Sequence, residues 1–223
     1  MNRPTIATII IIVCLLIIGL YASGEVNYYS SKISMERNVD SPTIIIPSAG
    51  INEKINEETL DLGVLHGPTS YKPTQGDVIL FGHRTLQGSP FLRLNEIHNG
   101  DSFLLEWPGI GELKYNVIDT TIVPASYELN AQEGGKNVYL ITCDPIGSTE
   151  NRLIVKGELV DTQPINTAII NSNPQESNAL FITAIFLVVG LIFSFFYPKD
   201  QRGYILAIVL IIILILIWKL STK

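Results

Sequence analysis

The chain has 223 residues, 47% of them hydrophobic, with a formal net charge of −6 and 2 cysteines. Its apolar residues gather at the two ends, while residues 24–178 carry 20 of the 21 acidic and 10 of the 15 basic side chains, a net charge of −10. A middle this acidic excludes nucleic acid as a partner, because phosphate backbones bind through Lys and Arg. With Cys14 inside an apolar run and Cys143 alone in the middle, an intradomain disulfide is excluded as well.

In chain order, Arg3 precedes an aliphatic run from Ile6 to Leu20. The run lies at the upper limit of the about 7 to 15 apolar residues of a cleaved leader, and residues 1–23 are expected to be an uncleaved transmembrane anchor. Residues 24–42 are polar and read as a tether. Short β-rich runs follow, separated by turn residues: "TIIIP" (43–47), "GINEKI" (50–55), "LDLGVLHG" (60–67) and "DVILFGH" (77–83). "SPFLRLNEI" (89–97) suits a short helix, then "SFLLEW" (102–107) and "ELKYNVIDTTIVP" (112–124) resume the strand pattern. After a loop over 124–136, an alternating run climbs to Cys143, turns through Asp144, Pro145 and Gly147, and restarts at Arg152. About eight short strands with regular turn signals predict an all-β domain, a sandwich or a barrel. Residues 161–178, rich in Asn, Thr, Ser and Pro, read as a linker.

Two further apolar runs, Ala179 to Tyr197 and Tyr204 to Trp218, close the sequence. Spanning a bilayer takes about 20 apolar residues. The first of the two qualifies; the second is short unless Gly203 and Leu220 are counted and Lys219 snorkels. Residues 179–219 are thus expected to be a pair of transmembrane helices. Arg3 and the "PKDQR" turn with Lys199 and Arg202 belong in the cytoplasm by the positive-inside rule, which places the middle domain outside the cell as part of a multi-pass protein. Lys219 and Lys223 in the tail run mildly against that rule.

Three residues stand where strands end or begin. His83 follows "DVILFG", Cys143 follows "NVYLIT", and Arg152 opens the strand after Cys143. In an antiparallel hairpin the end of one strand lies beside the start of the next, so Cys143 and Arg152 share one end of the sheet. His83 joins them if its strand runs in the same sense as the cysteine strand. A thiolate is the nucleophilic form of cysteine, and a neighbouring imidazole can supply charge and later a proton to a leaving amine. An arginine keeps its charge and can donate hydrogen bonds to an oxyanion. Together the three suit acyl transfer.

The other polar side chains have plainer readings. His66 and His98 are expected to be structural or at the surface. Arg84 would point to the face opposite His83 and reads as a surface charge. Thr142 either holds the strand end or simply favours the strand, and Asp144 is accounted for by turn chemistry. No close pair of metal ligands stands out, so neither a metal nor an organic cofactor is expected.

"LITC" (140–143) resembles the T-L-x-T-C strand end of the sortases, the transpeptidases that attach proteins to cell surfaces. The "DP" that follows and "RLIVKGEL" are similar to that family's T-C-x-P and R-L-x-V-x-G-E, and "GHRTLQGSPFLRLNEIHNGD" (82–101) is similar to its histidine segment. "LGVLHGPTSYKPTQGDVILFGHR" resembles the approach strand, so the likeness covers about residues 43–160. It mixes features of housekeeping, class E-like members and class C-like members. No D-P-F or D-P-W lid motif stands in residues 24–50, where "DSP" at 40–42 comes nearest.

The resemblance implies a closed, eight-stranded β-barrel with short helices, flanked here by transmembrane helices. It carries catalytic roles onto His83, Cys143 and Arg152. It implies as substrates secreted proteins with a C-terminal sorting signal similar to L-P-x-T-G, cleaved between Thr and Gly, and as acceptor an amine on a cell-wall component or a pilin. Some members use calcium, for which Glu128 and Glu133 are the nearest carboxylates in the 124–136 loop; solvated side chains account for both. The alternative is an inert surface barrel that binds peptide or scaffolds an envelope complex.

Overall fold

A computed structural model describes residues 3–36, 41–163 and 178–221 of the chain. It divides into two compact units, one of residues Met1–Ser31 with Gln175–Lys223 and one of residues Lys32–Pro174.

The second unit is built on eight strands: β1 (Thr43–Ile46), β2 (Ile51–Asn56), β3 (Val64–His66), β4 (Val78–Phe81), β5 (Ser102–Trp107), β6 (Gly111–Pro124), β7 (Asn137–Asp144) and β8 (Asn151–Gln163). They close into a barrel in the order β1-β2-β3-β4-β7-β8-β6-β5. This settles the choice between sandwich and barrel. Closure leaves no sheet edge exposed, which open sheets of hydrophobic strands must otherwise protect. Two of the pairings are parallel, β2 with β3 and β4 with β7.

Side chains alternate across each strand, and the two faces meet different surroundings. Inward residues such as Ile44, Leu80, Leu105, Leu113, Leu140, Leu153 and Val155 fill the barrel. Ile79, Ile141 and Ile154 lie one position off that set and form a second apolar cluster on the outer face, with Phe81, Val123, Leu129, Ala131 and Tyr139 packed against it. Leu129 and Ala131 come from the segment between β6 and β7, so this stretch lies against the outer face of β4, β7 and β8. Its far end is tied down by the buried Asp77 carboxylate, which accepts hydrogen bonds from the backbone N–H of Asn137 and Gln132 and from the Asn137 side-chain amide.

The segment between β4 and β5 holds a single 3-10 turn, Leu94–Glu96, rather than the longer helix expected over 89–97. Phe91, Leu94 and Ile97 from this segment belong to the barrel core. Gly82 makes that packing possible: a Cβ there would lie 2.5 Å from the Phe91 ring.

The helices are α1 (Ile6–Glu36), which belongs to the other unit as far as Ser31, and α2 (Asn178–Phe196) and α3 (Arg202–Ser221) of that unit. The helical ladder of α1 runs on through residues 24–36, where a polar tether is expected; no proline interrupts the chain between Pro4 and Pro42. Two helical stretches, Ile6–Lys32 and Arg202–Ser221, are long and apolar enough to cross a membrane. The last apolar run is therefore not too short, because its helix takes in both Gly203 and Leu220. Helix α1 lies parallel to α3: Gly19 abuts Ile212, and the Thr5 and Thr8 hydroxyl and amide groups meet Gln201. Helix α2 is joined to α3 by the Tyr197–Gln201 turn, and Gly190 lets it approach Val209.

Candidate active site

β4 and β7 are parallel and in register, with Val78 opposite Val138 and Phe81 opposite Ile141. The two strands therefore end at the same rim of the barrel. Past the last pair the register holds, because the Gly82 amide donates to the Ile141 carbonyl at 3.1 Å and the Thr142 hydroxyl donates to the Gly82 carbonyl at 2.8 Å. Counting one further step sets His83 beside Cys143. On the other flank of β7, Cys143 stands directly opposite Arg152 in the antiparallel β7–β8 ladder. The expected gathering of His83, Cys143 and Arg152 at one end of the sheet is what the register produces.

All three also share a face. Ile141 and Ile154 belong to the outer cluster, and Cys143 and Arg152 lie two residues along from them. Phe81 packs on the same cluster, and alternation through Gly82 carries His83 to that side. The rim set thus stands at the head of an apolar strip on the outer wall of the barrel, bounded by the β6–β7 segment.

Cys143 is half-buried and unbridged. The His83 ring, 20% exposed, has its Nε2 at 3.4 Å from a carboxylate oxygen of Asp61. Asp61 sits in the 3-10 turn Leu60–Leu62, where its own amide donates to the Thr59 hydroxyl oxygen that caps the turn. The backbone carbonyl of His83 accepts from the Phe91 amide at 3.0 Å, so the residue is held from its core side as well. The Arg152 Nη1 donates to the carbonyls of Thr149 and Asn151, each at 3.0 Å, which orients the guanidinium against the β7–β8 turn.

Arg84 departs from its expected place. It does point away from the His83 face, but that face is the inside of the barrel mouth, and Arg84 is 5% exposed. Its Nη1 pairs with the Asp144 carboxylate and donates to the Cys143 carbonyl at 3.2 Å. Asp144 is therefore more than a turn residue. Asp61 was likewise not legible, since it lies 22 residues from His83 and only the barrel brings them together. The signal for Arg84 was present in "GHR" and "TCD": parallel pairing of the two strands sets the base after His83 opposite the acid after Cys143.

The remaining residues keep their plainer readings. His66 is tied through Nε2 to the Ser70 hydroxyl at 2.8 Å and the Tyr71 carbonyl at 3.0 Å, and its ring meets Trp107 edge to face. His98, Glu128 and Glu133 are exposed, and among the described residues no three His, Cys, Asp or Glu side chains gather as a metal site.

Comparison with known proteins gives one consistent result. The Sortase domain family model matches residues 42–160, more than half of the chain. Sortase A of Bacillus anthracis is 26% identical over 139 residues, covering 60% of this chain and 66% of its own length, just under two thirds. Among solved structures, Streptococcus agalactiae sortase C1 superposes with a TM-score of 0.50 at 27% identity, covering 56% of this chain and 69% of that one. Sortase A from Corynebacterium diphtheriae gives a TM-score of 0.50 at 27% identity, covering 57% of this chain and 64% of its own.

Proposed function

The chain belongs to the sortase family, and on that premise we propose that it is a membrane-anchored cysteine transpeptidase whose site is formed by Cys143, His83 and Arg152. The observation that carries this reading is the register: two parallel strands and one antiparallel strand deliver a thiol, an imidazole and a guanidinium to the same rim and the same face.

In the proposed reaction the Cys143 thiolate attacks the Thr carbonyl carbon of an L-P-x-T-G-like signal lying along the outer strip. The carbonyl oxygen takes up the negative charge and receives hydrogen bonds from Arg152 N–H groups, which is where a preoriented donor contributes most. Collapse breaks the Thr–Gly bond; the leaving Gly amine takes a proton from His83, and a thioester remains on Cys143. An amine on a cell-wall component or a pilin then attacks the thioester carbonyl and gives up its proton to His83. The new amide leaves, and the Cys143 thiolate and the protonated His83 are restored. No step calls for a metal or an organic cofactor. The Asp61 carboxylate offers the imidazolium a partner while it waits.

The apolar helices support membrane attachment through residues 1–23 and 179–219, with residues 24–42 and 161–178 joining them to the barrel of residues 43–160. The charges of Arg3, Lys199 and Arg202 favour an extracellular barrel. Signal-bearing secreted proteins would be the substrates.

The test is transfer. Detergent-solubilised full chain, a signal peptide and a glycine-based amine should give cleavage between Thr and Gly and a ligated product. Cys143→Ala should remove at least about a thousandfold of the rate and His83→Ala about a hundredfold to ten-thousandfold. Undiminished turnover in Cys143→Ala would overturn the proposal.

A further inference from the structure

The same register that pairs His83 with Cys143 pairs Arg84 with Asp144, one residue on and on the opposite face. A buried guanidinium costs several kcal/mol to desolvate, and a buried ion pair commonly does no better than an apolar pair of the same shape. This one is not arranged for stability alone: among the described residues the Arg84 Nε is buried without an acceptor. Its Nη1, by contrast, serves two acceptors, the Asp144 carboxylate and the Cys143 carbonyl. Both belong to the end of β7, whereas Arg84 itself leaves the end of β4. Between the two strand ends, past the last ladder pair, the other ties among the described residues are the Gly82 amide on the Ile141 carbonyl and the Thr142 hydroxyl on the Gly82 carbonyl, both before His83.

We propose that the Arg84–Asp144 pair is a clamp that fixes the Cys143 backbone relative to His83, which makes Arg84 a positioning residue for the thiol chemistry. It acts through the carbonyl of the nucleophile's own residue and through its neighbour, and touches no reacting atom. The inference rests on the transpeptidase reading for its consequence and on the barrel's register for its geometry. Arginine suits the task because its guanidinium stays charged when buried, is weakly hydrated, and carries two N–H groups on Nη1, one for each acceptor.

The experiment uses the solubilised full chain with Cys14→Ser throughout, so that Cys143 is the sole thiol. Arg84→Met, Arg84→Lys and Asp144→Asn are compared with the parent for melting temperature, for the rate of Cys143 alkylation by iodoacetamide, and for kcat and KM on the signal peptide. Near-attack geometry is worth orders of magnitude, so Arg84→Met and Asp144→Asn should lower kcat at least about tenfold with KM changed less than about threefold. The alkylation rate should change at least about threefold, and Arg84→Lys should restore only part of either loss. A merely structural pair would shift the melting temperature and leave both rates of the folded protein unchanged; folded variants with parental kcat and alkylation overturn the clamp. If Arg84→Met does not fold, Asp144→Asn decides the matter by the same readouts. Should the parent neither cleave nor transfer the peptide, the function proposal fails, and the clamp then stands or falls on alkylation alone.

Discussion

Thr142 shows how much a single hydroxyl carries at this rim. It is 3% exposed and holds the Gly82 carbonyl at 2.8 Å, the residue before His83. Thr142→Val keeps the shape and strands a buried carbonyl, which costs about 1–3 kcal/mol. Thr142→Val should therefore unfold at lower denaturant and turn over more slowly, while Thr142→Ser should retain most of both; chemical denaturation and peptide turnover measure the two effects. Cys143, His83 and Arg152 were legible because each marks the end or the start of an alternating run, and those ends are visible without knowing the fold. Arg84 was not. Its neighbour His83 faces out, so the opposite face reads as solvent until the barrel closes and turns it into an interior that only a paired charge can occupy. Asp61 was hidden for a different reason, since its contact with His83 depends on the antiparallel pairing of β3 with β4.

At the level of elements, the strands followed from their composition. β-branched runs such as "TIII" (43–46) and alternating runs such as residues 137–143 fall inside the observed β1 and β7. Strand order was not readable, because the parallel pairings of β2 with β3 and β4 with β7 join segments whose contact is decided by closure and not by local sequence. The same closure explains Gly157 on β8, where a Cβ would come within 2.5 Å of the Phe103 ring, itself stacked on Tyr115. Gly157→Ala should destabilise the barrel by about 1–3 kcal/mol, the usual cost of overpacking, seen as a lower melting temperature. A second element-level prediction concerns β5 and β6, where Glu106 stands opposite Glu112. Glu106 is buried and, among the described residues, neither of its carboxylate oxygens has a hydrogen-bond partner. Burial, and then the neighbouring Glu112 charge, hold its carboxyl above the usual carboxylate range, against the opposing pull of Lys54. A carboxyl whose pKa is raised on folding binds more protons in the folded state, so stability falls as pH rises from the unfolded pKa through the folded one. Glu106→Gln removes that ionisation. It should raise the melting temperature at pH 7 and lose the advantage near pH 4; an advantage that is constant with pH would contradict the assignment.

For the whole molecule, the sequence sets an acidic middle apart from apolar ends, and the structure has two compact units, Met1–Ser31 with Gln175–Lys223 and Lys32–Pro174. The helical continuation of α1 was masked by the polar composition of residues 24–36, since polar side chains do not stop a helix when no breaker is present. The proposed placement of the barrel outside the membrane makes a direct prediction: with Cys14 in an apolar helix, a membrane-impermeant maleimide should label Cys143 in intact cells, and labelling only after lysis would overturn that placement. The central claim, however, is that the thiol at this rim forms an acyl-enzyme. Intact-mass analysis of the full chain incubated with a signal peptide and no acceptor amine tests it most directly. The account predicts an adduct of the peptide's N-terminal fragment on Cys143, released by hydroxylamine and absent from Cys143→Ala. Peptide cleaved between Thr and Gly at the full rate by Cys143→Ala, or an adduct carried on any residue but Cys143, would contradict it.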